Sequence, residues 1–180
     1  MSEAFSLYVR LDAAPDAVDR ALASVPTALV PDAAWRAWWD SRDMVGGTGL
    51  AEVPPPSAAA ARTQLTQLIE PPDRSGFFAE RDGGHAVIGV PLCTENYRHL
   101  AALAALFDHV ACASAARGGA LLVFDALWGS NDVMLFATAD AEGLHPTTAR
   151  TLADVDPAFA ATAVEQIARR VDALARRTDP

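Results

Sequence analysis

The sequence contains no lysine; all 14 of its basic residues are arginine. That absence excludes a Walker A phosphate loop, Schiff-base or pyridoxal chemistry, and a Ser–Lys nucleophile pair, each of which needs the lysine side chain. Positive charge is scarce altogether. Twenty-three Asp and Glu against 14 Arg leave a formal charge of −9 and a pI of about 4.7. A general nucleic-acid binder gains affinity by displacing counterions from phosphates, which requires a surface of the opposite sign. An anionic membrane surface repels such a chain for the same reason. Cysteine is limited to Cys93 and Cys112. Two thiols at that separation make neither a disulfide framework nor a CxxC metal knuckle, and both are expected to stay reduced in a cytoplasmic protein. The N-terminus lacks a basic segment followed by an apolar one, and no run approaches the roughly 18 apolar residues of a membrane span.

What is present is the composition of a folded domain. The chain has 180 residues, 51% of them hydrophobic, with 39 alanines. That length suffices for one well-buried domain, so residues 1–180 are expected to form a single unit.

Hydrophobic spacing and turn residues set the order of elements. Phe5–Leu11 reads as a strand, followed by a helix from Pro15 to about Val25 with Val18, Ala21, Leu22 and Val25 on one side. A second helix spans Asp32 to Asp40, with Asp32 as its N-cap. Met44–Ser57, containing Gly-Gly-Thr-Gly and three prolines, is irregular, and a helix is expected from Ser57 to Glu70. Phe77–Arg81 and His85–Val90 flank Asp82-Gly83-Gly84 as a hairpin. Thr94 opens a helix that carries Leu100, Leu103, Phe107, Val110 and Ser114 on one stripe and stops at Gly118-Gly119. A second hairpin joins Ala120–Leu127 to Val133–Ala139 through the turn Trp128–Asp132. Both of its strands are apolar on alternate and intervening positions alike, so they are expected to be central or covered. A His-Pro loop, a short helix from Thr147 and a closing helix from Pro157 to Arg177, with Phe159, Val164, Ile167, Val171 and Leu174 inward, complete the chain. The expected fold class is α+β: a largely antiparallel sheet of about five strands, built from two hairpins plus the N-terminal strand, with helices packed on one face.

Several residues invite a chemical reading. Cys93 precedes a helix, where exposed amide groups stabilise a thiolate, and His85, His99 or His109 could act as its base; burial at a strand end is the plainer account. His99, Asp108 and His109 share one helix. However, His99 and Asp108 stand half a turn out of phase, and the two histidines are separated by about 15 Å, so they cannot hold one ion. They are expected on the solvated surface. The Gly46–Gly49 run lacks the strand before it and the helix after it that a phosphate loop needs. Asp125 interrupts an apolar strand and is expected to meet an arginine or solvent, since an unpaired buried carboxylate is costly. With Glu80 it is a candidate acid/base pair.

The tryptophans are the most suggestive group. Trp35, Trp38 and Trp39 lie at i, i+3 and i+4 on one helix face, with Asp40, Arg42 and Asp43 directly after; a core seam explains that spacing. Trp128 sits in a turn, where a large ring is seldom core, and acids flank it. The expectation is a non-enzymatic binding protein without cofactor, metal or catalytic residues. Its partner surface would comprise Trp38, Trp39, Asp40, Asp43, Trp128, Asn131 and Asp132, facing a basic protein. An immunity-type inhibitor of a bacterial toxin or effector has this profile. A secretion-effector chaperone or adaptor is the second reading. Outside the binding class, the runner-up is a small enzyme with a Cys/His or Asp/His site in a cleft beside residues 44–57, and a ligand-binding regulatory module is a further possibility. A homodimer is compatible with the alanine-rich helices.

Overall fold

Strand β1 (Ser6–Leu11) alternates residues between two apolar environments, and this fixes the architecture. Leu7, Val9 and Leu11 face one core while Tyr8 faces another, and all four are essentially inaccessible. The computed structural model describes residues 5–25, 31–42, 63, 76–82, 84–94 and 96–178. Within them β1 pairs antiparallel with both β3 (His85–Val90) and β4 (Gly119–Phe124). Strand β2 (Phe78–Asp82) extends the sheet beyond β3, and β5 (Val133–Asp140) and β6 (Gly143–Pro146) extend it beyond β4. The order is β2-β3-β1-β4-β5-β6. The N-terminal strand therefore separates the two hairpins rather than lying beside them.

The α+β class holds, with two differences from the sequence expectation. The first is the sixth strand. Gly143–Pro146, read as a loop, pairs with β5, with Thr138 opposite His145. The segment after it, expected to start a helix at Thr147, holds only a 3-10 turn at Leu152–Asp154. The second is the placement of helices on both faces. Helices α1 (Pro15–Ala23), α2 (Ala33–Asp40) and α3 (Tyr97–Ala113) cover the face bearing Leu7, Val9, Leu121 and Val123. Helix α4 (Pro157–Thr178) covers the opposite face, where Ala160, Ala163 and Ile167 meet Tyr8, Leu122 and Phe124. Val164, expected inward on α4, is exposed, and the two alanines take the inward positions instead. Small side chains let the helix lie close to the sheet. The expected helix at Ser57–Glu70 lies outside the described residues.

The stripe read on α3 is buried as expected, from Leu100 through Phe107 and Val110 to Ser114. The helix ends earlier than the glycines suggested. Ala115 takes φ +49°, and the Ala116 N–H donates to the Ala111 carbonyl, a Schellman-type stop on an alanine. Gly119 serves a different need. Its φ is +140°, and a Cβ there would stand 2.2 Å from the Arg10 carbonyl oxygen, so the entry into β4 requires glycine.

Trp35, Trp38 and Trp39 form the seam between α2 and the sheet, at 3%, 0% and 5% exposure. Trp38 packs edge-on against both of the others, and its Nε1–H donates to the Met134 carbonyl at 2.9 Å. Trp38→Ala is expected to destabilise the protein by about 3–5 kcal/mol in urea unfolding, because it leaves a large cavity; a loss below about 1 kcal/mol would contradict this packing. Tyr8→Phe is expected to leave stability unchanged or raise it, since the buried Tyr8 hydroxyl meets no partner among the described residues.

Candidate functional site at the β4–β5 loop

Residues 125–132 connect β4 to β5, and a buried carboxylate organises them. Asp125 is 7% exposed. One of its oxygens accepts the N–H groups of Leu127 at 3.0 Å and Trp128 at 2.7 Å, and the other accepts that of Ser130 at 2.8 Å. Burial alone would push the Asp125 carboxyl up, but these donors outweigh it and hold it below the usual carboxylate range. The expected arginine partner is not needed: backbone amides do that work. Gly129 and Asn131 supply the positive φ values, +75° and +63°, at which the loop reverses.

Further bonds fasten the loop from outside. The Asp125 N–H donates to the Asp132 carbonyl at 2.9 Å and closes it. The Leu152 N–H donates to the Asn131 carbonyl, and Asp132 bridges to Thr151. Trp128 stands on this fixed backbone with 59% of its surface exposed. A large ring ordered before any contact loses little entropy on docking.

The seven expected partner residues divide. Trp128, Asn131 and Asp132 are exposed together on the loop, and Asp40 is exposed at the end of α2. Trp38 and Trp39 are buried and therefore withdrawn from any contact surface; the i, i+3, i+4 spacing belongs to the core. Asp43 lies outside the described residues.

A cavity of about 280 Å³ adjoins the loop, lined by Phe5, Ser41, Arg42, Tyr97, Asp132, Val133, Met134 and Arg150. Arg42 follows α2 and reaches across it. Its Nη1–H donates to the Val133 carbonyl at 2.7 Å and its Nη2–H to that of Ala149 at 2.6 Å. Arg150 donates to the Ser41 carbonyl. Nothing in the sequence joins two arginines so far apart. Asp125 as a loop organiser was more legible, because an Asp followed by Gly, Ser and Asn is the pattern of a side chain that bonds its own turn.

Burial and hydrogen bonding account for several of the residues on which an enzymatic reading rested. Cys93 is pushed up to about 12 by burial, which keeps it a neutral thiol. Glu80 is exposed on β2, away from the Asp125 network on β4. His109, expected on the surface, is buried and lies 2.6 Å from the Ser24 hydroxyl. That hydroxyl also donates to the Ala21 carbonyl at 2.7 Å, so the pair ties α3 to the end of α1. His85 is oriented by Asp12 at 2.6 Å on the outer part of the sheet. Among the described residues no group of three or more His, Cys, Asp or Glu could hold a metal ion, and no helix is long and apolar enough to cross a membrane. No family model matches the chain, and neither does any curated protein or solved structure.

Asp125→Asn is expected to cost about 1–3 kcal/mol at neutral pH, because an amide accepts these N–H groups less strongly and buries an unmatched NH₂. The sign with pH is fixed by the lowered native pKa. The contribution of Asp125 is present above the unfolded value of about 3.9 and fades as pH falls below it, so the gap between wild type and variant narrows in acid. Urea unfolding at several pH values measures this, and a gap that widens in acid would contradict it. Alkylation of the native protein near neutral pH is expected to spare Cys93, as mass spectrometry of the digest would report.

Proposed function

We propose that this is a non-enzymatic protein-binding protein, an immunity-type inhibitor that neutralises a bacterial toxin or effector in the cytoplasm. The docking surface is the β4–β5 loop, with Trp128 at its centre and Asn131 and Asp132 exposed beside it; Asp40, exposed at the end of α2, is assigned to the same surface. One observation carries the reading: an exposed tryptophan held on a loop that a buried carboxylate has already ordered. A large ring already fixed in place can be buried against a partner at little entropic cost, and Trp is enriched among residues that dominate binding. The net charge of −9 favours a basic partner, since opposite fields accelerate encounter. Blocking a toxin requires occupying its surface rather than transforming it, and the rigid sheet beneath the loop suits that task.

The test is the affinity of the purified partner for wild type and for Trp128→Ala, followed by calorimetry. The substitution removes an exposed ring and should leave the unfolding midpoint unchanged while weakening binding by more than tenfold, about 1.4 kcal/mol or more. Added salt should slow association more than it speeds dissociation. Equal affinity for the two proteins would refute the surface.

A further inference from the structure

The cavity beside the loop contains a cation that has no ion-pair partner among the described residues. Arg42 is half-buried in a chain with an excess of acids, yet among the described residues it forms no ion pair, and its Nη1–H and Nη2–H donate to the neutral carbonyls of Val133 and Ala149. An arginine has five N–H donors in a rigid plane. The Nε–H of Arg42 is buried and meets no acceptor among the described residues. A buried donor without a partner costs free energy and is uncommon in a settled interior. Arg150 lines the same cavity and adds a second positive charge close enough to lower the pKa of Arg42, after the larger effect of burial.

We infer that this cavity is a binding site for a small carboxylate, held by Arg42 with Arg150 opposite. A planar carboxylate matches the open fork of a guanidinium and would give the Nε–H its acceptor. Asp132 stands on the cavity wall and disfavours a second negative charge, which selects a monoanion over a phosphate dianion. Phe5, Val133 and Met134 provide an apolar side for a short aliphatic body, and about 280 Å³ limits the ligand to a few carbons beyond the acid. This site stands apart from the docking role of Trp128 and does not depend on it.

The experiment follows the arginine Nε–H resonances of the full chain by nitrogen–proton correlation NMR. Propionate is titrated against propionamide at constant ionic strength, with inorganic phosphate in a third series. One Nε–H signal, absent from the Arg42→Lys protein, should move and saturate with propionate and stay still with propionamide. Phosphate should bind more weakly at a pH where it is dianionic. Arg150→Gln, at an exposed position, should keep the fold and lower propionate affinity severalfold, and Arg42→Lys should lower it about tenfold by losing the fork. A glycylglycine pair with free and amidated C-termini identifies the source of the acid. Saturation by propionate marks a free small acid, and saturation by the free dipeptide alone marks the end of a peptide chain. No saturable shift with either acid, or equal shifts with propionate and propionamide, would overturn the site.

Discussion

The structure depends on β1 being buried on both sides. A strand in which Leu7, Tyr8 and Val9 are all inaccessible cannot lie at the surface of a two-layer fold. It requires strands on both edges and helices over both faces. The pairings with β3 and β4 supply the first, and α1–α3 against one face with α4 against the other supply the second. Each further feature follows from that layering. The tryptophans of α2 are core because they lie between a helix and a sheet already covered on its far side. Gly119 has no room for a side chain because β4 must close on β1.

A sheet clamped in this way provides a firm base for whatever its loops present. The β4–β5 connection leaves two such strands, and the Asp125 carboxylate carries their order into the turn through its three amide contacts. The polar group that looked like an interruption of β4 is thus what extends the rigid part of the molecule out to Trp128. The loop is also where α2, β5 and the segment around Arg150 come together, so Asp132, on the same loop as the exposed ring, also lines the two-arginine cavity. Position on the fold, more than chemistry of any single residue, makes this end the functional candidate.

Much of the fold was readable from local signals. The pairing of β2 with β3, the stripe on α3 and the apolar second hairpin each rest on spacing and turn chemistry within a dozen residues, and each appears in the structure. The helices over both faces depart from that reading, which packed them on one face: strands apolar on both sides need two covers, and α4 supplies the second. The sixth strand carries too few residues, Gly143–Pro146, and a proline at its end, so its pairing is set by β5 rather than by its own sequence. In the site, a turn tryptophan is legible as exposed because turns lie outside cores. Trp38 and Trp39 satisfied the same compositional cue, and only packing distinguishes a seam from a surface. Arg42 and Arg150 carried no signal, because their meeting is created by the long-range contacts of α2 with β5 and the loop beyond β6.

The central claim is that the β4–β5 loop is where a partner docks. It is tested most directly by placing a photo-crosslinking amino acid at position 128, and in separate proteins at the exposed positions Val25 and Val164, and irradiating each in the lysate of the source organism. The account predicts one dominant cross-linked protein, basic in sequence, at position 128 and little at the other two. Equal cross-linking at all three positions, or none at 128 while another position captures a partner, would contradict it.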